Sequence, residues 1–423
     1  MTFIETGLRL TKKIIPQSLF KIAQPTYHRG LALVSAVIHR FPARRIKVIV
    51  ITGTKGKTST TEIVNSILEE AGFKTAVLGT LRFKIGAENK PNMYKMSVPG
   101  RFFVQKFLRS AVDAKCDYAV IEMTSEGAKQ FRHKGIDMDT LIFTNLSPEH
   151  IESHGSFEKY KDAKLSIARA LSNSHKRPRT IIANSDDPHG ESFLAVMADV
   201  KLPYSLMDVE IVRETETCSM FMYDGLPITI HLPGRFNIYN AIAGLTLARS
   251  LQIDTSVCKS ALEKLSQIRG RLERVEEGQD FSVVVDYAHT ADSLEKVYNV
   301  YRGANKICVL GGTGGGRDGE KRKIMGSIAE EHCSQIILTD EDPYDEDPQK
   351  IIDGVASGMK YKVPMRVLDR RTAIAKALTL AKSGDVVIIT GKGTDPYIMG
   401  ANGKKTPWDD AGVVREELKK MIV

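Results

Sequence analysis

A chain of 423 residues exceeds one ordinary hydrophobic core and suggests two or three domains of about 150 residues each. Its 42% apolar and 26% charged residues exclude a disordered or fibrous protein, and its longest uncharged apolar stretch, 30–38, is about half a bilayer span, too short for a transmembrane helix. The net charge of +9 is unevenly placed: residues 1–45 hold eight basic side chains against Glu5, whereas the rest holds 52 basic and 50 acidic, a nearly neutral body without the interleaved aromatics of a nucleic-acid surface.

Residues 1–45 read as a basic amphipathic helical leader. Its apolar positions are Ile14, Ile15, Leu19, Phe20 and Ile22, then Leu31, Leu33, Val34, Val37 and Ile38, and Pro42 ends it. KVIVITGTKGKTSTTEIVNSILEEAG follows as a β-branched strand, a glycine-containing turn and a helix closed by Gly72. Strand-like DYAVIEM (117–123), TLIFTNL (140–146) and RTIIANS (179–185) then alternate with helical stretches, which predicts a mainly parallel sheet covered on both faces. Near residue 205 short polar strands lead to HLPGRFNIYNAIAGLTLARSL, a turn and an Ala/Leu-rich helix. QIRGRLERVEEGQD reads as a linker, and FSVVVDYAH, KICVLGG, SQIILTD and DVVIITG form a second alternation. The expected fold class is α/β: a central, mainly parallel P-loop-type sheet domain (46–267) and a C-terminal Rossmann-like α/β domain (268–423), preceded by the short helical segment 1–45. The five cysteines have no CxxC spacing and are odd in number, which argues against a disulfide framework or thiolate metal site and suits a reducing cytoplasm.

Functional groups of open α/β sheets gather at the carboxyl ends of strands, where Gly, Asp and His cluster in this chain. TGTKGKT (52–58) lies between a strand and a helix, as a phosphate loop requires. Backbone N–H groups would cradle phosphate oxygens, Lys57 would neutralise them, and the Thr58 hydroxyl would ligate Mg²⁺, although Ile51 stands where the first glycine of the usual motif belongs. Glu122 and His150, after two later strands of the same sheet, make a divalent site beside the phosphates with Thr58.

The ordered segments GTKGKTSTTE, EMTSEG, TNLSPEHIESHGSFEKYKDAKLSIA, GRFNIYNAIAG, GRLERV with VVDYAHTADSLEKV, GGTGGGRDGEKRKIMG and GKGTD resemble the Mur ligase family over residues 46–423, most of all its UDP-N-acetylmuramyl-tripeptide synthetases. The resemblance implies an ATP-dependent ligase of peptidoglycan and cell-wall biogenesis that joins an amino acid to a UDP-N-acetylmuramyl-dipeptide-like acceptor through an acyl phosphate. ATP would meet Gly53, Thr54, Gly56, Lys57, Thr58, Ser59, Asn237, Asn240, Arg271, Asp286 and His289. Two Mg²⁺ ions would be held by Thr58, Glu122, His150 and Lys164, the last in the position of a carbamylated lysine. Ser97, Ser125 and Arg132 match acceptor-binding positions, and Arg317, Asp342, Tyr344, Gly391 and Asp395 match those that hold the incoming amino acid.

Three departures qualify the likeness. Members selecting meso-diaminopimelate carry Asp-Asn-Pro-Arg where this chain has Glu341, Asp342, Pro343 and Tyr344, and with further acids at 340, 345, 346 and 347 the rim reads as anionic, favouring a lysine- or ornithine-like substrate. The usual GKGHE is GKGTD. Where typical members carry an N-terminal domain of about one hundred residues for the uridine diphosphate, this chain offers the basic leader, which either caps the central domain or touches anionic lipid at the inner membrane face. A cytoplasmic monomer acting on small molecules, without nucleic acid, is expected. The alternatives are a folylpolyglutamate-synthase-like ligase and a non-catalytic nucleotide-binding module.

Overall fold

The computed structural model describes residues 17–149, 151–316 and 319–422. The part of the expected helical leader within residues 1–16 and the roles given to His150 and Arg317 lie outside the described residues. The chain divides into two compact units, one of residues up to 61 with 72–90 and 96–204, the other of 62–71, 91–95 and 205 onward. Residues 205–267 thus group with the C-terminal sheet by contact density.

In the first unit β1 (Lys47–Thr52), β2 (Thr75–Leu78), β3 (Arg82–Ile85), β4 (Glu88–Pro91), β5 (Tyr118–Glu122), β6 (Thr140–Phe143), β7 (Thr180–Asn184) and β8 (Val200–Tyr204) form one sheet in the order β4-β3-β2-β5-β1-β6-β7-β8. From β2 to β8 the pairs are parallel, and β3 returns antiparallel along β2. Val48, Ile49, Val50 and Ile51 of β1 are buried, as a central strand covered on both faces demands. Helices Arg101–Asp113 and Phe157–Ser172 supply Val104, Leu108, Ile167 and Leu171 to the core over Val50, Leu78, Ile121 and Leu141.

The helix Gln17–Ile38 packs the opposite way from an ordinary amphipathic helix. It buries the small residues Ala32, Ser35 and Ala36, while Leu33, Val34, Val37 and Ile38 remain 50–59% exposed. The apolar positions Leu33, Val34, Val37 and Ile38 therefore do not mark the buried face. Close approach selects the small side chains instead: a Cβ added to Gly135 would stand 2.9 Å from the Ala36 Cβ.

In the second unit β9 (Glu210–Glu214), β10 (Ser219–Tyr223) and β11 (Leu226–Ile230) make a small antiparallel sheet. The larger sheet holds β12 (Glu273–Arg274), β13 (Ser282–Asp286), β14 (Lys306–Leu310), β15 (Gln335–Leu338), β16 (Met365–Arg366) and β17 (Val386–Thr390) in the order β12-β13-β17-β14-β15-β16, parallel except for β12. Two expectations need correction here. The stretch read as a linker contributes β12, with Leu272, Glu273 and Val275 buried, because it doubles back on β13 as an edge strand. The cysteines are not all free: Cys308 of β14 and Cys333 form a disulfide, with Cα atoms 6.1 Å apart. Their parity and spacing along the chain carried no sign of a strand and a helix end meeting in one core.

Candidate active site

Strand order builds the first cluster. β2, β5, β1 and β6 are neighbours, so the segments leaving their carboxyl ends lie side by side, where open α/β sheets place their ligands. From β1 the chain passes through Gly53–Gly56 into helix Lys57–Glu70. Gly53 has φ +154°, and a Cβ there would stand 1.9 Å from Thr144 Oγ1, so no other residue fits. The loop is braced by the segment after β6: Thr54 N–H donates to the Asn145 carbonyl (2.8 Å), Lys55 N–H donates to Asn145 Oδ1 (2.9 Å), and Lys55 pairs with Glu149 (2.8 Å). Thr54 Oγ1 lies 2.8 Å from the Tyr160 hydroxyl. Gly56 also takes a positive φ, +81°, and Ser59 is buried in the first helical turn.

Lys57 Nζ donates to the carbonyls of Gly53 (3.0 Å) and Thr54 (2.9 Å), folded across the loop it would serve. Thr58 Oγ1 donates to Glu122 Oε2 (3.1 Å) at the end of β5. Glu122, 1% exposed, also accepts from the Thr80 N–H (2.9 Å) and Thr80 Oγ1 (2.8 Å), and Thr80 Oγ1 is 2.6 Å from Ser97 Oγ. A polar chain Thr58–Glu122–Thr80–Ser97 thus joins the helix that follows loop 53–56 to a residue expected at the acceptor.

Lys164 lies fully buried on helix Phe157–Ser172, its Nζ donating to the Gly53 carbonyl (2.6 Å) and standing 5.0 Å from the Tyr160 ring centre. Burial first, and then the Lys57 charge, hold its ammonium well below the usual lysine range. No carboxylate pairs with it among the described residues. An amine whose charged form burial disfavours suits CO₂ addition. No three His, Cys, Asp or Glu side chains converge as a metal site among the described residues. One hydroxyl, a buried carboxylate with no cationic partner among the described residues, and an amine able to become a carbamate fit Mg²⁺, which takes few protein ligands beside water and phosphate oxygens. Ser125, buried at the start of helix Ser125–Lys129, has its hydroxyl 3.2 Å from His154 Nε2. Arg132, 7% exposed, donates to Gln130 Oε1 (2.8 Å).

The second unit repeats the principle. β13, β17, β14 and β15 are adjacent, which gathers DYAH, GKGTD, GGTGGG and DEDPY along one carboxyl edge. Asp286 turns inward, accepting from the N–H groups of Leu272 and Ala288 (2.8 and 2.7 Å), and His289 Nδ1 lies 2.8 Å from the Tyr287 carbonyl. The Arg271 guanidinium lies 4.7 Å from the Tyr287 ring centre. Asn237 and Asn240 are buried together: Asn240 Nδ2 donates to Asn237 Oδ1 (3.1 Å), and Asn237 Nδ2 donates to the Pro233 carbonyl (2.9 Å).

Two ammoniums share two carboxylates nearby. Lys392 Nζ lies 2.8 Å from Asp342 and 3.4 Å from Asp395, and Lys95 Nζ lies 2.6 Å from Asp342 and 3.0 Å from Asp395. Burial opposes both charges; Asp395 and Asp342 more than offset it at Lys95, whose ammonium is held up, and fall short at Lys392. Gly391, at φ +108°, leaves room for Glu341, whose Oε2 would lie 2.4 Å from a Cβ there. Burial pushes the Glu341 carboxyl up to about 7. Tyr344, at φ +52°, donates its N–H to the Met399 carbonyl (2.9 Å).

The anionic rim is smaller than the count of acids suggests. Asp347 caps helix Pro348–Ala356, Glu346 pairs with Arg322 (2.6 Å), Asp345 accepts from the Asn402 N–H, and Asp340 accepts from the Glu341 N–H. Only tertiary contacts reveal those partners. Sequence reasoning also missed Thr80, Asn145, Tyr160, Lys95 and Lys392. Thr80 and Lys392 stand just past strand ends, a position that flags them, and Asn145 and Tyr160 lie inside motifs already singled out. Nothing local distinguishes Lys95.

Comparison with known proteins bears on both sheets. The Mur ligase middle domain matches residues 51–248, and the Mur ligase glutamate ligase domain matches 270–393. A UDP-N-acetylmuramyl-tripeptide synthetase of Roseiflexus sp. (strain RS-1) is 34% identical, over 94% of this chain and 83% of its own length. A solved UDP-N-acetylmuramoyl-L-alanyl-D-glutamate–2,6-diaminopimelate ligase superposes with a TM-score of 0.60 at 27% identity, covering 89% of this chain and 79% of that one. Mycobacterium tuberculosis folylpolyglutamate synthase complexed with ADP gives 0.67 at 17% identity over 88% and 93%, a likeness of fold alone.

Proposed function

The chain belongs to the Mur ligase family, and on that premise we propose that it is the ATP-dependent ligase of peptidoglycan precursor synthesis that adds an amino acid to a UDP-N-acetylmuramoyl-dipeptide-like acceptor. The observation that carries this reading is the polar chain Thr58–Glu122–Thr80–Ser97 beside the loop 53–56 and the buried Lys164. The acceptor carboxylate attacks the γ-phosphorus, ADP leaves, and the amine of the amino acid then displaces phosphate from the acyl phosphate with loss of a proton. Lys57 binds the phosphates, Ser97, Ser125 and Arg132 orient the acceptor, and Arg271, Asn237 and Asn240 meet the nucleotide. Mg²⁺, when bound, offsets the charge that accumulates as a carboxylate nears a triphosphate. Two ions fit this donor set, with Thr58 and Glu122 for one and Lys164, as its carbamate, for the other. The test is ADP release with ATP, UDP-N-acetylmuramoyl-L-alanyl-D-glutamate and an amino acid. Release is expected only with all three, and turnover on dihydrofolate instead would overturn the reading.

Lys95 supports a narrower statement about the amino acid. Asp342 and Asp395 already receive two lysine ammoniums from the chain itself, the buried Lys392 and the less buried Lys95, so a lysine- or ornithine-like side chain that displaces Lys95 finds the same two carboxylates. Turnover across an amino-acid panel decides this, and activity with diaminopimelate alone refutes it.

The outward face of helix Gln17–Ile38 supports contact with an anionic bilayer. Leu33, Val34, Val37 and Ile38 are exposed, Arg29, Arg40 and Arg45 are exposed near them, and no acid occurs from residue 6 to 61. Sedimentation with phosphatidylglycerol vesicles, lost in Val37→Glu and absent with phosphatidylcholine, is the expected result. The protein, read as a monomer, would instead dimerise through this face if the reading is wrong.

A further inference from the structure

One buried ion pair of the second unit reaches the backbone at two of the segments read as holding the incoming amino acid. Arg370 opens helix Arg370–Leu380 and Asp410 opens helix Asp410–Ile422, and their side chains are 1% and 0% exposed. Arg370 Nε donates to Asp410 Oδ1 (2.8 Å) and Nη2 donates to Oδ2 (2.7 Å), a two-point pairing, and Asp410 Oδ1 also accepts from Trp408 Nε1 (2.7 Å). Burial opposes the guanidinium charge, and Asp410, then Glu341 and Asp340, more than offset it. As a source of stability such a pair is a poor choice, because apolar side chains of the same volume commonly do as well. What they cannot supply is the rest of the fork.

The remaining donors of Arg370 reach two strand ends at once. Nη2 also donates to the Thr390 carbonyl (2.8 Å), the last of β17, and Nη1 donates to the Asp340 carbonyl (3.3 Å), just past β15. β14 runs between β17 and β15, so these two ends do not pair with each other directly. Thr390 leads into Gly391, at φ +108°, and on to Asp395, while Asp340 leads into Glu341 and Asp342. The segment after β14 is tied to the same place: the Gly314 N–H donates to the Asp342 carbonyl (2.8 Å), and Thr313 Oγ1 donates to Glu341 Oε1 (2.9 Å). We infer that Arg370 is a positioning residue for the incoming amino acid. Its guanidinium ties the two strand ends together and so fixes the separation at which Asp342 and Asp395 face a ligand ammonium, the separation that accommodates Lys95 (2.6 and 3.0 Å). The inference rests on the reading of Asp342 and Asp395 given above. It gives a task to a fully buried cation that the reaction itself does not use.

The test is steady-state ADP release with L-lysine, L-ornithine or meso-diaminopimelate as the varied amino acid, then with ATP and the acceptor varied in turn, beside a thermal melt. Arg370→Lys keeps a charge beside Asp410 and loses the planar fork. KM for the amino acid that the wild type uses should rise about tenfold or more, because two carbonyl contacts are weakened, with KM for ATP and for the acceptor within about twofold. Should Arg370→Lys fail to fold, Arg370→Met with Asp410→Leu serves: it removes both charges and fills the volume, so the fold should hold while the amino-acid KM stays raised. A role in stability alone predicts the opposite, a normal amino-acid KM once both partners are gone. An unchanged amino-acid KM in whichever variant folds, or an equal rise in all three KM values, overturns this inference and leaves the ligase reading standing. Failure of both variants to fold places the pair in stability and overturns it as well. A wild type that releases no ADP with any of these amino acids sinks the ligase reading, and this inference with it.

Discussion

Thr80→Val isolates one hydroxyl. Valine keeps the volume and leaves the residue 80 N–H on Glu122 Oε1 (2.9 Å), so what disappears is the donor 2.8 Å from Glu122 Oε2 and the partner 2.6 Å from Ser97 Oγ. A hydrogen bond to a charged group contributes about 1.5–3 kcal/mol, and Glu122, 1% exposed, has no bulk water to replace it. If turnover needs that carboxylate in its present orientation, the loss corresponds to roughly 10–150-fold in kcat/KM. The same energy lowers the melting temperature by roughly 3–12 °C in a unit of this size. The assay is initial ADP release with the acceptor varied at saturating ATP and amino acid, beside a thermal melt. A kcat/KM within about threefold of wild type would refute the reasoning, whatever the melt, because a threefold change is under 1 kcal/mol.

Three further outcomes are expected. Lys57→Ala should retain its fold and lose about 10²-fold or more in ADP release, since one preorganised cation against developing phosphate charge is removed; near-normal release would dismiss the phosphate-loop assignment. Lys164→Met keeps the buried volume and removes an ammonium that burial already disfavours, so turnover should collapse while the melting temperature stays within a few degrees; a folded, active variant would show that the amine has no part in the reaction. Glu341 is raised from 4.5 to about 7, so the folded state keeps its proton across that window and stability falls as pH rises through it, then stays level above. Glu341→Gln should therefore gain about 3 kcal/mol over wild type above pH 7 and nothing below pH 4.5, measured by urea unfolding at both ends; an equal difference at both would remove burial as the cause.

Much of the architecture was legible because parallel strands buried on both faces read as unbroken β-branched runs. KVIVIT, YAVIE, TLIF and TIIAN appear as such in the chain and as β1, β5, β6 and β7 in the fold. The positions of Lys57, Thr58 and Glu122 were legible as well, since one glycine-rich turn and a strand end mark them, whereas Lys164, inside helix Phe157–Ser172, was singled out by the family resemblance alone. The packing of helix Gln17–Ile38 was not. Apolar periodicity identifies a face but says nothing of how near a neighbour approaches, and here Gly135 lies close against Ala32 and Ala36.

By itself the sequence determined the alternating α/β order, the glycine-rich strand-to-helix turn and the likeness to one ligase family. Each is written in local patterns that survive without a third dimension. The tertiary structure decided which charges remain available. It gave Glu346 to Arg322 and Asp347 to a helix cap, put Lys95 between Asp342 and Asp395, and joined Cys308 to Cys333. A charge acquires its meaning from what lies within a few ångströms of it. Those neighbours come from segments up to hundreds of residues away, as Lys95 and Asp395 do, and no local pattern records them.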